Sequence, residues 1–159
     1  MAEPVILFGA FDRHNLGDLL LARIAERLVA PRPVCFAGLA ERDLTPWGGP
    51  RVEAIARVAA DWGERRTDLV HVGGELLTCT AYQAAVMLQT LEAANAAIAR
   101  YDADPQAARD WAAQFLSLAS AMPYLLDPGM FLQPGTWVCN ALGGVDLSRQ
   151  PEAVRAEIV

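Results

Sequence analysis

The chain has 159 residues, 53% of them apolar, and a formal net charge of −6. One domain with an ample core is expected, and the negative balance argues against nucleic acid or an anionic membrane surface as partner. All thirteen basic residues are arginine, which excludes a phosphate-loop lysine, a Schiff-base lysine and a lysine general base within it.

The chain opens with Met1-Ala-Glu-Pro, which has no basic segment, and Asp12 and Arg13 cut the first apolar run short. That is no secretory signal. No stretch is long and unbroken enough to span a bilayer, so a cytoplasmic protein is expected. The first strand is Pro4–Phe8, stopped by Gly9. A polar loop follows in which Asp12, Arg13, His14, Asn15, Gly17 and Asp18 crowd into seven positions. A helix runs from about Gly17 to Val29, and Leu20, Ile24 and Leu28 at i, i+4, i+8 predict its inward face. Pro31 and Pro33 end it.

The second strand is Val34–Ala37, and Trp47-Gly-Gly-Pro50 marks a turn. A second helix is expected over about Arg51–Glu64, with Val52, Ile55, Ala59 and Trp62 as its stripe and an exposed Arg57–Asp61 pair. The third strand, Asp68–Val72, is apolar around His71, as a strand buried on both faces is, and Gly73-Gly74 closes it. Cys79–Arg100 reads as one alanine-rich helix. Asp104 and Pro105 start another, carrying Trp111, Phe115, Leu118 and Met122 up to Pro123. The fourth strand, Thr136–Ala141, leads to Gly143-Gly144. Pro151–Val159 begins a further helix, with Val154 and Ile158 four apart. It reads as the start of a longer element, and so the chain as a piece of a longer protein.

The pattern β-α-β-α-β-αα-β-(α) predicts a Rossmann-like α/β domain: an open parallel sheet with helices on both faces. Ligands of such sheets bind at the carboxyl ends of the strands. Three glycine-bearing strand ends fall on that rim: Gly9–Asp18, Gly73-Gly74-Glu75, and Asn140-Ala-Leu-Gly-Gly144 with Asp146. In the first, Asn15 is a candidate N-cap, and Gly17 and Asp18 sit where free backbone N–H groups favour a negative charge. A capped turn needs one such residue, and this loop holds several. It lacks the glycines of a dinucleotide fingerprint. His71 reads as a core histidine, whereas Gly73, Gly74 and Glu75 suit either a tight turn or a ligand site. Cys35, Cys79 and Cys139 lie far apart with only two histidines in the chain, so no metal site is expected, and they read as buried free thiols.

The run Gly9-Ala-Phe-Asp-Arg-His-Asn15-Leu-Gly17-Asp18-Leu-Leu-Leu, between a strand and a helix, is similar to the opening of polysaccharide pyruvyl transferases. Gly73-Gly74-Glu75 resembles the glycine cluster after that family's third strand, with glutamate where glycine is common. The resemblance covers about the first eighty residues, and more loosely Thr136–Ala141. It implies a two-lobed, glycosyltransferase-B-like fold of which residues 1–159 form the N-terminal, acceptor-side lobe. It further implies transfer of the enolpyruvyl carbons of phosphoenolpyruvate to sugar hydroxyls as a ketal, with release of phosphate. A saccharide acceptor is then the substrate partner, phosphoenolpyruvate the donor, and no further cofactor is needed. The donor-site basic residues belong to a C-terminal lobe outside this chain. Asp12, His14 and Asp18 become candidates for the base that removes the acceptor proton, and Asn15, Gly17, Gly73, Gly74, Glu75 and Asn140 candidates for acceptor binding. Two other readings stay open: a non-catalytic α/β module for a sugar or anion, and the N-terminal half of a nucleotide-sugar glycosyltransferase.

Overall fold

The structure is a computed structural model, which describes residues 3–13, 15–144, 148, 152 and 155. His14 and Asp146 lie outside the described residues, as does the expected helix at Pro151–Val159 except for Glu152 and Arg155.

Strand β1 (Val5–Phe8) is apolar and buried throughout, and it forms the centre of the sheet. It pairs in parallel with β2 (Val34–Gly38) on one side and β5 (Thr67–Glu75) on the other. Beyond β2 lie β4 (Arg51–Ala54) and the two-residue β3 (Arg42–Asp43), and beyond β5 lies β6 (Pro134–Gly143), giving the order β3-β4-β2-β1-β5-β6. Only β3 runs antiparallel. Successive residues of a strand point to opposite faces. Val5 and Leu7 accordingly pack with Ala22 and Ala25 of helix α1 (Leu16–Val29). Ile6 and Phe8 face a larger core built with α2 (Ile55–Trp62), α3 (Ala81–Met87) and α5 (Pro105–Leu116). The short α4 (Leu91–Tyr101) joins the last two. This mixed α/β sheet, mostly parallel and covered on both faces, is compatible with a Rossmann-like fold. Among the described residues no helix is long and apolar enough to cross a membrane.

Several boundaries differ from expectation for local reasons. Helix α1 turns Asp18, Ala22 and Ala25 to the sheet, while Leu20, Ile24 and Leu28 are 58%, 45% and 70% exposed. Small residues let the helix approach the strands closely, so the larger apolar stripe lies along its flank. The expected helix at Arg51–Glu64 begins as strand β4, whose Glu53 pairs with Ala37 of β2. Arg57 consequently pairs with Glu53 and Glu41 rather than with Asp61. Cys79–Arg100 is broken into α3 and α4 because the Thr90 hydroxyl accepts the Ala93 N–H and starts a new helix. Helix α5 begins at Pro105 under an Asp104 cap, as the sequence predicts. It ends early, at Ser117 in left-handed conformation (φ 53°), which leaves Leu118 and Met122 beyond it and Phe115 exposed. Strand β5 runs on through Gly73 and Gly74 to Glu75. All three cysteines are free: Cys79 is buried, Cys35 half-buried, and Cys139, on the edge strand, exposed rather than buried.

Candidate functional site

The β1–α1 loop and the end of β5 meet at the carboxyl rim of the sheet. Asn15 is the N-cap of α1: its Oδ1 accepts the Gly17 N–H at 3.0 Å, and its backbone carbonyl accepts the Leu19 N–H. Asp18 follows in the first turn, where the helix dipole favours a negative charge, and is buried. Gly74 has φ +115°, and a Cβ built there would stand 3.1 Å from Asp18 Oδ1. Gly73 is equally tight, its Cβ position 2.9 Å from the Ala141 carbonyl and 3.1 Å from Leu21 Cδ1. The glycine pair therefore lets β5 pass beneath the start of α1 and brings the two sequence motifs into contact. Just beyond it, the Leu76 and Leu77 N–H groups both donate to the Gly143 carbonyl, which ties this strand end to β6.

A cavity of about 580 Å³ opens here. Arg13, Asn15, Asp18 and Glu75 line it from the rim, and Tyr82, Gln83 and Met87 of α3 form a further wall. The capping box of α3, Thr80 with Gln83, sets the start of that wall. Burial pushes the Asp18 carboxyl above its usual range, against the opposing pull of the Arg13 charge and a hydrogen bond from Asn15. A carboxylate held in this way is a better proton acceptor than an exposed one. The lining mixes hydrogen-bonding groups with an apolar surface from Leu76, Val86, Met87 and Ile98 that is the larger share, so that a few polar groups would orient a ligand against apolar walls.

The remaining candidates are placed differently. Asp12 is buried and turned toward the end of β2: its Oδ2 accepts the N–H groups of Leu39 at 2.7 Å and Ala40 at 2.9 Å. Gly38 leaves room for it, since a Cβ there would stand 2.8 Å from the same oxygen. Burial raises the Asp12 carboxyl, opposed by the bonds from Ala40 and Leu39 and by Arg13. This geometry clamps the first loop to β2. Asn140 pairs in register with Val72 on β6 and does not line the cavity. His71 is in the core: Nε2 accepts the Leu126 N–H at 3.4 Å, and its ring packs edge-on to Phe8 and close to Trp137. Burial lowers its pKa to about 4.

Arg13, Tyr82 and Met87 also line the cavity and carry no site signal of their own in the sequence. The spacing Thr80-x-x-Gln83 is a capping-box signature and would have located α3 and its cavity wall. Replacing Gly74 by alanine puts a Cβ in a strained backbone region and against Asp18. A stability loss of about 1–3 kcal/mol is expected, measured by urea unfolding, with a matching loss at Gly73 through contact with Ala141.

No family model, no curated protein and no solved structure matches this chain.

Proposed function

We propose that the rim cavity binds a saccharide acceptor, and that the chain is the acceptor-side lobe of an enzyme resembling polysaccharide pyruvyl transferases. The observation that carries this reading is the contact between the two motifs. Asn15-x-Gly17-Asp18 and Gly73-Gly74-Glu75 are nearly sixty residues apart in sequence, yet Gly74 abuts Asp18 and Glu75 lines the cavity with it. Of the three candidate bases, Asp18 is the one described at the cavity wall; Asp12 does not line the cavity, its Oδ2 accepts the Leu39 and Ala40 N–H groups just past β2, and its Oδ1 is buried without a partner among the described residues.

In this proposal a sugar hydroxyl donates to Asp18, which takes its proton as the oxygen attacks C2 of phosphoenolpyruvate, while C3 takes up a proton from an acid of the second lobe and becomes the methyl group. Phosphate then departs with its bonding electron pair, and a second hydroxyl adds to the same carbon and gives up its proton, which closes the cyclic ketal. The partly buried site strengthens Asp18 as a base and the Asn15 hydrogen bond orients it, while the Arg13 charge draws its pKa back toward the usual range. The glycosyltransferase-B-like pairing of two lobes and a cytoplasmic setting belong to the same proposal, with the donor site supplied by the second lobe.

The test is saccharide binding to this chain by calorimetry, in the wild type and in Asp18→Asn. Loss of one charged hydrogen bond predicts about tenfold weaker binding. Equal affinity would remove Asp18 from the site. The chain alone is expected to release no phosphate from phosphoenolpyruvate; release would contradict the division of labour between lobes.

A further inference from the structure

Among the described residues lining the cavity, Arg13 is the one cation. It is half-buried, its Nε has no hydrogen-bond partner among the described residues, and its guanidinium lies over the Tyr124 ring at 5.9 Å. Among the described residues it forms no ion pair within 4.0 Å. Its one described hydrogen bond runs from Nη1 to the thioether of Met87 at 3.1 Å. That bond is exposed, and Asp12 and Asp18 feel the Arg13 charge without a described bond to it; a thioether is a weak acceptor beside the carboxylate or phosphate a guanidinium ordinarily pairs with. Met87 is also a half-exposed, unbranched side chain with three rotatable bonds. Its sulfur occupies the position where a stronger acceptor would sit.

The rest of the lining states what else that ligand must carry. Asp18, Glu75 and Asp102 place three carboxylates around the same space, with Asn15 and Gln83 beside them. A ligand of several negative charges and no hydroxyls would meet repulsion from those carboxylates. A ligand with one carboxylate and several hydroxyl donors would satisfy both sets, its anion on Arg13 and its hydroxyls on the acids.

We propose that this cavity selects an acidic saccharide, whose single carboxylate displaces the Met87 sulfur from Arg13 while its hydroxyls donate to the surrounding carboxylates. The inference rests on the saccharide reading above and names its substrate class. Tyr124 is fully buried beneath the guanidinium and acts as the platform that keeps it aimed outward, so Arg13 is here a specificity-determining residue.

The test compares D-glucuronate, D-glucose and phosphoenolpyruvate as ligands of this chain, by calorimetry at low ionic strength. Glucuronate is expected to bind at least tenfold more tightly than glucose, and the ratio to fall below about threefold in Arg13→Gln. Arg13→Lys should recover part of it, since charge returns without the planar fork. Should Arg13→Gln fail to fold, Met87→Glu serves instead: an internal carboxylate on Arg13 should abolish the preference for glucuronate while glucose still binds. Equal binding of both sugars, or a preference that survives Arg13→Gln or Met87→Glu, would overturn the inference and leave the saccharide reading intact. Binding of phosphoenolpyruvate as tight as glucuronate would reassign the carboxylate to the donor and overturn it too. Binding of neither sugar would overturn both.

Discussion

Asp12→Ala is expected to destabilise the protein by about 3 kcal/mol, because two backbone N–H groups lose a charged acceptor and at least one of them is buried. For a domain of this size that corresponds to a fall in Tm of about 10 °C. Asp12→Asn retains an acceptor oxygen at the same position and should cost clearly less. The origin of the effect is the chain path: the β1–α1 loop must be held against the end of β2, and Leu39 N and Ala40 N are there without strand partners. Gly38 yields the space, so Gly38→Ala should weaken the same clamp. Thermal unfolding of the three variants checks the ranking. If Asp12→Ala unfolds with the wild type, the carboxylate is not the clamp and returns as a candidate base.

A second large effect concerns pH. His71 is buried without a charged partner among the described residues, and burial lowers its pKa from 6.5 to about 4. Between these values the unfolded chain binds a proton that the folded chain refuses. Stability contributed by neutral His71 is therefore complete above pH 6.5 and lost as pH falls toward 4. At about 1.4 kcal/mol per unit the loss approaches 3 kcal/mol over that window. Asp12 and Asp18 act in the opposite direction, since burial raises both carboxyls and so favours the folded state on acidification. The imidazole is isolated by difference: urea unfolding of the wild type and His71→Gln, run from pH 7 to pH 4.5. The gap in stability between them should shrink with acid, because only the wild type loses the histidine contribution. A gap independent of pH would mean that His71 is solvated or paired when the protein folds.

Much of the architecture was legible from the chain. Asp104-Pro105 and Asn15 announce helix starts because an acceptor side chain before a first turn has one obvious use. The apolar runs Pro4–Phe8 and Asp68–Val72 read as strands, and the second, continuous and apolar around His71, as one buried on both faces. The misread parts have physical causes. An i, i+4 leucine stripe cannot say which face of α1 meets the sheet when alanines at Ala22 and Ala25 pack closer. Val52 fits both a helical and a strand period, and its strand is decided by Ala37 and Gly38 on β2, a tertiary partner. The site was legible as to place, since Asn15, Asp18, Gly74 and Glu75 meet at the rim. It was not legible as to its walls. Asp12 looks like Asp18 in the sequence, and only the backbone of β2 separates a clamp from a candidate base. Arg13 gains meaning only from Met87 and Tyr124, which sit on distant elements.

The reading of this rim as an acceptor site is tested most directly by an amide-resolved NMR titration of the chain with glucuronate. Shifts at Asn15, Gly17, Asp18, Gly74 and Glu75 that saturate together are expected, and none around the second cavity at Ser120, Leu125 and Asp127. An unchanged rim at saturating sugar, or shifts gathered at that second cavity, would contradict it.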